Sequence, residues 1–384
     1  MRVLHSCGTW LSLTENWIHT SVSFLPPHVE TAVVCDLVAN RETYADVSLY
    51  TRPPSGRLHK ALEAARYLAS GVKYRGSSHL VTKSAREFGA QLIHSHFGPR
   101  GWRDSGAALK VGAKHAVTFY GSDANVQNAR HTKWGNRYKD MFRHVGLVVC
   151  EGPALAEKIR LLGCAPDKVA VNHLGVDLTR YEYRPRAWDP REELRILVAG
   201  RFTEKKGIPD ALEAIALVRK RVPLHVTLIG DAGPSQEQQA EKARILATIS
   251  RLGLQSCVTL AGLQPHSDFL EAAYQHHIFL SPSLTPASGD TEGGLPVSFL
   301  ELAASGMPII STRHADIPEL LEDRHSGFLS DERDPPALAA SIEWMLGDRG
   351  RWGDVCLAAR KVVEREFNAE IQGRKLAALY SGLL

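Results

Sequence analysis

The chain has 384 residues, 44% of them hydrophobic and 23% charged, the composition of an ordinary globular protein too long for one hydrophobic core. No apolar run approaches the ~18 residues of a membrane span, and six scattered cysteines without a C-x-x-C pair exclude a disulfide scaffold and point to a reducing compartment, the cytoplasm. Residues 1–190 carry a net charge of +9 and the remainder −5, so the first half is either a solvated basic surface or the face for an anionic partner: a phosphorylated lipid or membrane surface ahead of nucleic acid, for which no reading motif is present.

Residues 2–6 read as a first strand, without the apolar core of a secretory signal, and Cys7-Gly8-Thr9 as the turn after it. In an open α/β sheet such a turn lies at the carboxyl end of a strand, where ligands bind. It lacks G-x-G-x-x-G, so a dinucleotide site is not supported. Thr14 can cap a helix starting at TENWI, and the β-branched residues 31–38 form a second strand. Helices around 58–69 and 80–88 precede a strand over 91–96 that sets His94 and His96 on one face by alternation. Residues 115–119 repeat the theme and end in Tyr120-Gly121-Ser122-Asp123. Strands at 146–150 and 169–171 flank a helix over 153–162 that Gly163 stops.

Strands alternating with helices predict a parallel, doubly wound sheet. The prolines and charges of residues 183–190 suit a linker, after which the pattern restarts with a strand over 194–199, a loop over 200–207 and a helix over 208–221. Further strands are expected at 225–229, 258–261 and 278–280, then helices at 336–346 and 349–367. The domains are therefore expected at 1–187 and 188–367, with residues 368–384 a last helix crossing back onto the first. Two such halves place a ligand cleft between them.

Residues 281–318 are the most informative stretch. A loop rich in Ser, Pro and Gly passes through Glu292-Gly293-Gly294 into a helix over 297–305, with Pro296 suited to its first position and Gly306 to its left-handed stop. A strand over 307–311 follows. A glycine loop feeding a helix N-terminus offers free N–H groups and a positive dipole end to a phosphate. Glu292 and Glu301 bracket the turn and point to a polar ligand, a capping acid and a solvated acid being the plainer alternative. In residues 200–207, Arg201 follows a strand end and Lys206 precedes the glycine opening the next helix. Two such cations suit a diphosphate and the charge that develops as it leaves. His94, His173, His266, His276 and His277 lack metal-ligand spacing and read as core or surface residues.

The motifs GRFTEKKG, LIGDAGP, TEGGLPVSFLELAASGMPII and DIPELLEDRHSGFL resemble, in order and spacing, those of glycosyltransferase family 4. In the first half TENWI, LIHSHFG, TFYGSD and the run from Cys150 to Tyr181 are similar to the same family, so the likeness covers Met1 to about Phe367. The nearest flavour is that of bacterial enzymes building exopolysaccharide, capsule or lipopolysaccharide. The resemblance implies the GT-B fold, two Rossmann-like domains facing across a cleft, and transfer of a sugar with retention. The donor would be a nucleotide-diphosphate sugar such as a UDP- or GDP-sugar, and the acceptor a hydroxyl of a glycan or lipid-linked molecule. It implies no metal or other cofactor; the cytoplasm is the compartment expected from the cysteines, and contact with the inner face of the membrane is an expectation raised by the basic first half. A GT-B epimerase, a phosphorylase and a non-catalytic nucleotide-sugar binding subunit are the alternatives; nothing calls for the pyridoxal-binding lysine of a phosphorylase.

Carried over by position, Arg201 and Lys206 look like the diphosphate pair, Glu292 like the acid on the donor sugar's hydroxyls, and Glu301 like the acid on the ribose. Gly293, Gly294 and Leu295 would offer amides to sugar and phosphate, and Leu263 and Gln264, after Gly262, would meet the base. Gly8 and Thr9 would approach the phosphate, and Glu15, His96, Tyr120 and Asp123 would line the acceptor side. Two departures stand out. Eight residues separate Glu292 from Glu301, one more than is usual in the family, and Tyr120 stands where many members have His. A phenol is a poor base at neutral pH, so His96 or Asp123 would serve, or the departing phosphate would itself take the acceptor's proton.

Overall fold

The structure, a computed structural model, describes residues 1–11, 16–40, 47–51, 79–125 and 133–384. The helix expected over 58–69, and with it Thr14 and Glu15, lies outside those residues. The described chain divides into two compact units, Met1–Gly175 with Ala369–Leu384, and Val176–Asn368.

The first unit holds β1 (Arg2–Trp10), β2 (Glu30–Val38), β3 (Ser48–Thr51), β4 (Leu92–His96), β5 (Lys114–Phe119), β6 (Leu147–Cys150) and β7 (Val169–Val171). They pair in parallel in the order β3-β2-β1-β4-β5-β6-β7. Helices cover both faces, so neighbouring strand residues are apolar on opposite sides. Val3 and Leu92 pack against Leu376, Ala377 and Tyr380 of the last helix, Ala369–Leu383. Leu4, Val34 and Ile93 pack on the other face against helices His79–Phe88 and Gly98–Val111. Each such fully buried Val or Leu contributes about 1.5–3 kcal/mol. A Cβ at Gly373 would come within 2.0 Å of the Phe24 carbonyl oxygen, so only glycine lets the last helix approach there.

The second unit repeats the plan with β8 (Leu194–Ala199), β9 (Leu224–Ile229), β10 (Val258–Gly262), β11 (Ile278–Ser281), β12 (Ile309–Thr312) and β13 (Phe328–Ser330). Their order is β10-β9-β8-β11-β12-β13, again all parallel. Ile196, Val226 and Ile310 face helices Ile208–Val218 and Pro335–Gly347. Leu197, Phe279 and Ile309 face helices Val297–Ala304 and Trp352–Glu366. In each sheet the strand order reverses beside its first strand, at the β1/β4 and β8/β11 junctions. Crevices at the carboxyl ends of such junctions are where ligands bind in open α/β sheets.

Several expectations change. Cys7, Gly8 and Thr9 are not a turn: β1 runs on to Trp10, because β2 continues beside it and pairs Cys7 with Cys35, Thr9 with Leu37 and Trp10 with Val38. The division falls after Gly175, not Ala187. Val176 and Tyr181 are buried in the second unit's core, and Val176 N–H donates to the Phe367 carbonyl at 2.9 Å. The stretch read as a linker is fastened to that unit as well. Arg186, buried, donates to the carbonyl oxygens of Ser305 at 2.9 Å and Ala273 at 3.1 Å. Pro296 stands one residue before its helix. Helices Lys133–His144, Gln236–Arg251 and His266–Gln275 carry no signal singled out from the sequence, and neither do β3 and β13.

Among the described residues no helix is long and apolar enough to cross a membrane, and all six cysteines are buried free thiols.

Candidate active site

In the second unit the chain leaves β8 at Gly200, forms a 3-10 turn at Glu204–Lys206 and enters helix Ile208–Val218 through Gly207. Gly207 has φ 60°, and a Cβ there would lie 1.9 Å from the Pro282 carbonyl oxygen. Glycine thus lets this loop pack directly on the one leaving β11, and Leu284 N–H donates to the Lys205 carbonyl at 2.9 Å. The close approach joins two residues far apart in sequence: Lys206 Nζ lies 2.7 Å from Glu292 Oε1. Ser283 Oγ donates to the same oxygen at 3.1 Å. Burial opposes ionisation of Glu292, but Lys206 and then Lys205 outweigh it and hold the carboxyl below its usual range. The acid is therefore a carboxylate paired with a cation.

Lys205, which the motif reading passed over, sits beside Asp290 at 3.1 Å and donates to the Thr291 carbonyl at 3.3 Å. Arg201 is exposed at the β8 end. Gly293 is half-buried, and Gly294 and Leu295 are buried, leading into helix Val297–Ala304. Within that helix Glu301 is 5% exposed, and its Oε1 accepts from Tyr181 Oη and from His266 Nε2, each at 2.9 Å. Burial and then the charge of Glu301 push the Tyr181 phenol well above its ordinary value, so it remains a donor. His266, set aside in the sequence, is thus bonded to a candidate site acid. Its position after Leu263-Gln264-Pro265, opening a helix, is the only signal it gives. Gly262, at φ 69°, ends β10, and Leu263 and Gln264 are exposed beyond it, Leu263 at 72%.

In the first unit Gly8 is exposed and Thr9 half-buried near the end of β1, while Glu15 lies outside the described residues. His96 ends β4, fully buried. Its Nε2 lies 3.1 Å from His5 Nδ1, and its Nδ1 2.6 Å from Tyr120 Oη. His5 Nε2 is buried with no hydrogen-bond partner among the described residues. An unmet acceptor is tolerated better than an unmet N–H, so the His5 proton belongs on Nδ1. His5 then donates to His96, and His96 donates from Nδ1 to Tyr120. Burial holds both imidazoles well below the ordinary histidine value, His5 at about 3. His94, stacked on His96 at 4.7 Å between ring centroids, is bonded to Tyr380 Oη and, at 2.6 Å, to Thr118 Oγ1.

Ring nitrogens of His5, His94 and His96 come within 4.8 Å of one another, the spacing one ion would need. Both nitrogens of His94 and of His96 are already engaged, so the cluster reads as a chain of neutral hydrogen bonds.

Asp123 is 4% exposed. Its Oδ2 accepts from Gly98 N–H at 2.7 Å, and its Oδ1 from Tyr120 N–H at 3.0 Å and Ala124 N–H at 3.1 Å. Burial raises its carboxyl to about 6 against these donors. The residue holds the turn together and fixes Tyr120, which is half-buried between Phe97 and Trp17. His96 thus has both ring nitrogens engaged within the unit, and both oxygens of Asp123 already accept from backbone N–H groups.

The remaining histidines set aside are structural. His173 Nδ1 meets the Glu151 carbonyl at 2.8 Å, His276 bonds Thr227, and His277 bonds Arg195.

Family models match both units: Glycosyltransferase Family 4 over residues 36–180, and Glycosyl transferases group 1 over residues 193–348. Among curated relatives, the putative colanic acid biosynthesis glycosyltransferase WcaL of Escherichia coli K12 is 32% identical over 330 residues, 84% of this chain and 78% of its own. The amylovoran biosynthesis glycosyltransferase AmsK of Erwinia amylovora is 32% identical over 329 residues, with the same coverage. Among solved structures, Anabaena Alr3699/HepE in complex with UDP shares the fold over all of both chains, with a TM-score of 0.76 at 16% identity.

Proposed function

The chain belongs to glycosyltransferase family 4, a GT-B enzyme family, and we propose that it assembles a cell-surface polysaccharide by moving a sugar, with retention, from a UDP- or GDP-sugar to a hydroxyl of a glycan or lipid-linked acceptor. The observation that carries this reading is the Lys206–Glu292 pair at the β8/β11 junction. It is the junction at which a doubly wound sheet receives a nucleotide.

In this reading the donor's diphosphate meets Lys206 and Arg201, with amides of Gly294 and Leu295 beside it. Glu292 is left to accept hydrogen bonds from the sugar's hydroxyls, and Glu301 accepts them from the ribose. UDP in the Anabaena relative supports a nucleotide donor, and the biosynthetic roles in the names of WcaL and AmsK support a polysaccharide product. The first unit, with Tyr120 just past the end of β5, is assigned to the acceptor.

Transfer breaks the bond between the anomeric carbon and the diphosphate oxygen and forms one from that carbon to the acceptor oxygen, on the same face. The acceptor's proton passes to the departing phosphate. This route suits a chain whose His96 and Asp123 are engaged internally. Stabilising charge on the leaving diphosphate is then the protein's main contribution, and one well-placed donor of that kind is worth about 3–4 kcal/mol.

Slow transfer to water gives the test. Sugar released from a UDP- or GDP-sugar, followed by proton NMR before it mutarotates, is expected first in the donor's own anomeric configuration. Release of the opposite anomer would remove the retaining step, and no turnover with any donor would favour a binding subunit.

A further inference from the structure

Glu292 and Glu301 stand on different supports. Glu301 rides on its helix, but Gly293 and Gly294 separate Glu292 from that helix, and two glycines transmit little conformational restraint. Something other than helix register must therefore fix Glu292. The backbone N–H of Glu292 donates to His314 Nε2 at 3.1 Å. A backbone N–H can only donate, so Nε2 is the unprotonated nitrogen and the ring proton sits on Nδ1. Nδ1 lies 2.6 Å from Glu332 Oε1 and donates to it.

Glu332 also reaches the other end of the same loop. Its Oε2 accepts from Thr285 N–H at 2.8 Å and its Oε1 from Thr285 Oγ1 at 3.1 Å. Burial disfavours its charge, but Thr285 and His314 donors hold the carboxyl below its usual range. Arg333 closes the loop's start by donating to the Thr285 carbonyl at 2.8 Å. His314 is 2% exposed and sits just past β12, outside every motif that carries a site residue.

We propose that His314 and Glu332 are positioning residues that clamp both ends of loop 285–292 and so set Glu292 where it reads the donor's sugar. The inference rests on the donor reading above and assigns sugar recognition, as distinct from nucleotide binding, to this pair. The clamp requires a neutral His314 with its proton on Nδ1, because a proton on Nε2 would face the Glu292 N–H.

The test titrates UDP, UDP-glucose, GDP and GDP-mannose into the full chain and into His314→Ala, His314→Gln and Glu332→Gln. His314→Ala and Glu332→Gln are expected to bind the nucleoside diphosphate within about threefold of the wild type while losing about tenfold or more for the matching sugar nucleotide. His314→Gln, whose amide oxygen reaches towards the Nε2 position, is expected to keep most of the sugar preference. Without any ligand, amide hydrogen exchange in His314→Ala and Glu332→Gln should quicken over residues 285–292 more than over the strands of the second unit.

Equal losses for diphosphate and sugar nucleotide, or a His314→Ala variant identical to the wild type, would overturn the clamp. If His314→Ala does not fold, Glu332→Gln decides by the same readings. Wild-type binding of none of the four would remove the donor reading and the clamp's role with it, whereas normal wild-type binding with unaltered variants would overturn the clamp alone.

Discussion

Glu301 accepts two hydrogen bonds on a single oxygen, from Tyr181 and from His266. That arrangement fixes the plane of the carboxylate and leaves Oε2 as the oxygen we assign to the ribose. Tyr181→Phe removes one of the two donors. A hydrogen bond to a charged group contributes about 1.5–3 kcal/mol, so the variant is expected to lose about that much stability. It should also weaken nucleoside diphosphate binding by several-fold, with the added affinity for a sugar nucleotide unchanged, which paired titrations would show. A loss confined to the sugar nucleotide would contradict the division of labour between Glu301 and Glu292. The two acids were singled out in the sequence because they bracket a glycine turn, Glu292 just before it and Glu301 inside the helix that follows. Tyr181 and His266 were not: they reach Glu301 across 120 and 35 residues, and only the folded sheet brings them there.

At the level of elements, strands β1, β4 and β5 carry His5, His94, His96 and His115, all buried. Burial lowers each below the ordinary value of 6.5, His115 to about 4 and His5 to about 3. Above pH 6.5 these rings are neutral in both folded and unfolded chains and contribute no pH dependence. As pH falls below 6.5 the unfolded chain takes up protons that the folded one refuses, so stability falls until the folded values are reached. Each ring adds a slope of about 1.4 kcal/mol per pH unit. Urea unfolding at about pH 7.5 and about pH 5 should therefore show a loss of several kcal/mol, with a shallower slope in His115→Gln. An unchanged slope in that variant would contradict the buried neutral histidine. Strand alternation did place His94 and His96 on one face, but not the continuation of β1 past Gly8, which depends on how far its neighbour β2 runs.

Across the whole molecule, alternating strands and helices and the restart of the pattern near residue 194 made two parallel α/β units readable from the chain. The ends of those units were less so. Proline and charge in residues 183–190 suggested a linker, yet Arg186 is tied to Ser305 and Ala273, and Val176 already belongs to the second core. Local composition reports what a stretch tolerates, whereas a boundary depends on which core its apolar residues find. The Lys206–Glu292 pair is the same kind of fact, an expectation about two motifs that becomes a contact only when β8 and β11 lie side by side. The role we propose for it, as the donor's seat, is best tested by thermal stabilisation with UDP-, GDP-, ADP- and CMP-sugars, on the wild type and on Lys206→Ala. Ligand at ~100 times its dissociation constant adds about 2.7 kcal/mol to the folded state. The expected result is a raised melting temperature with one nucleotide class, lost in Lys206→Ala; a shift with none of them, or an undiminished shift in the variant, would contradict it.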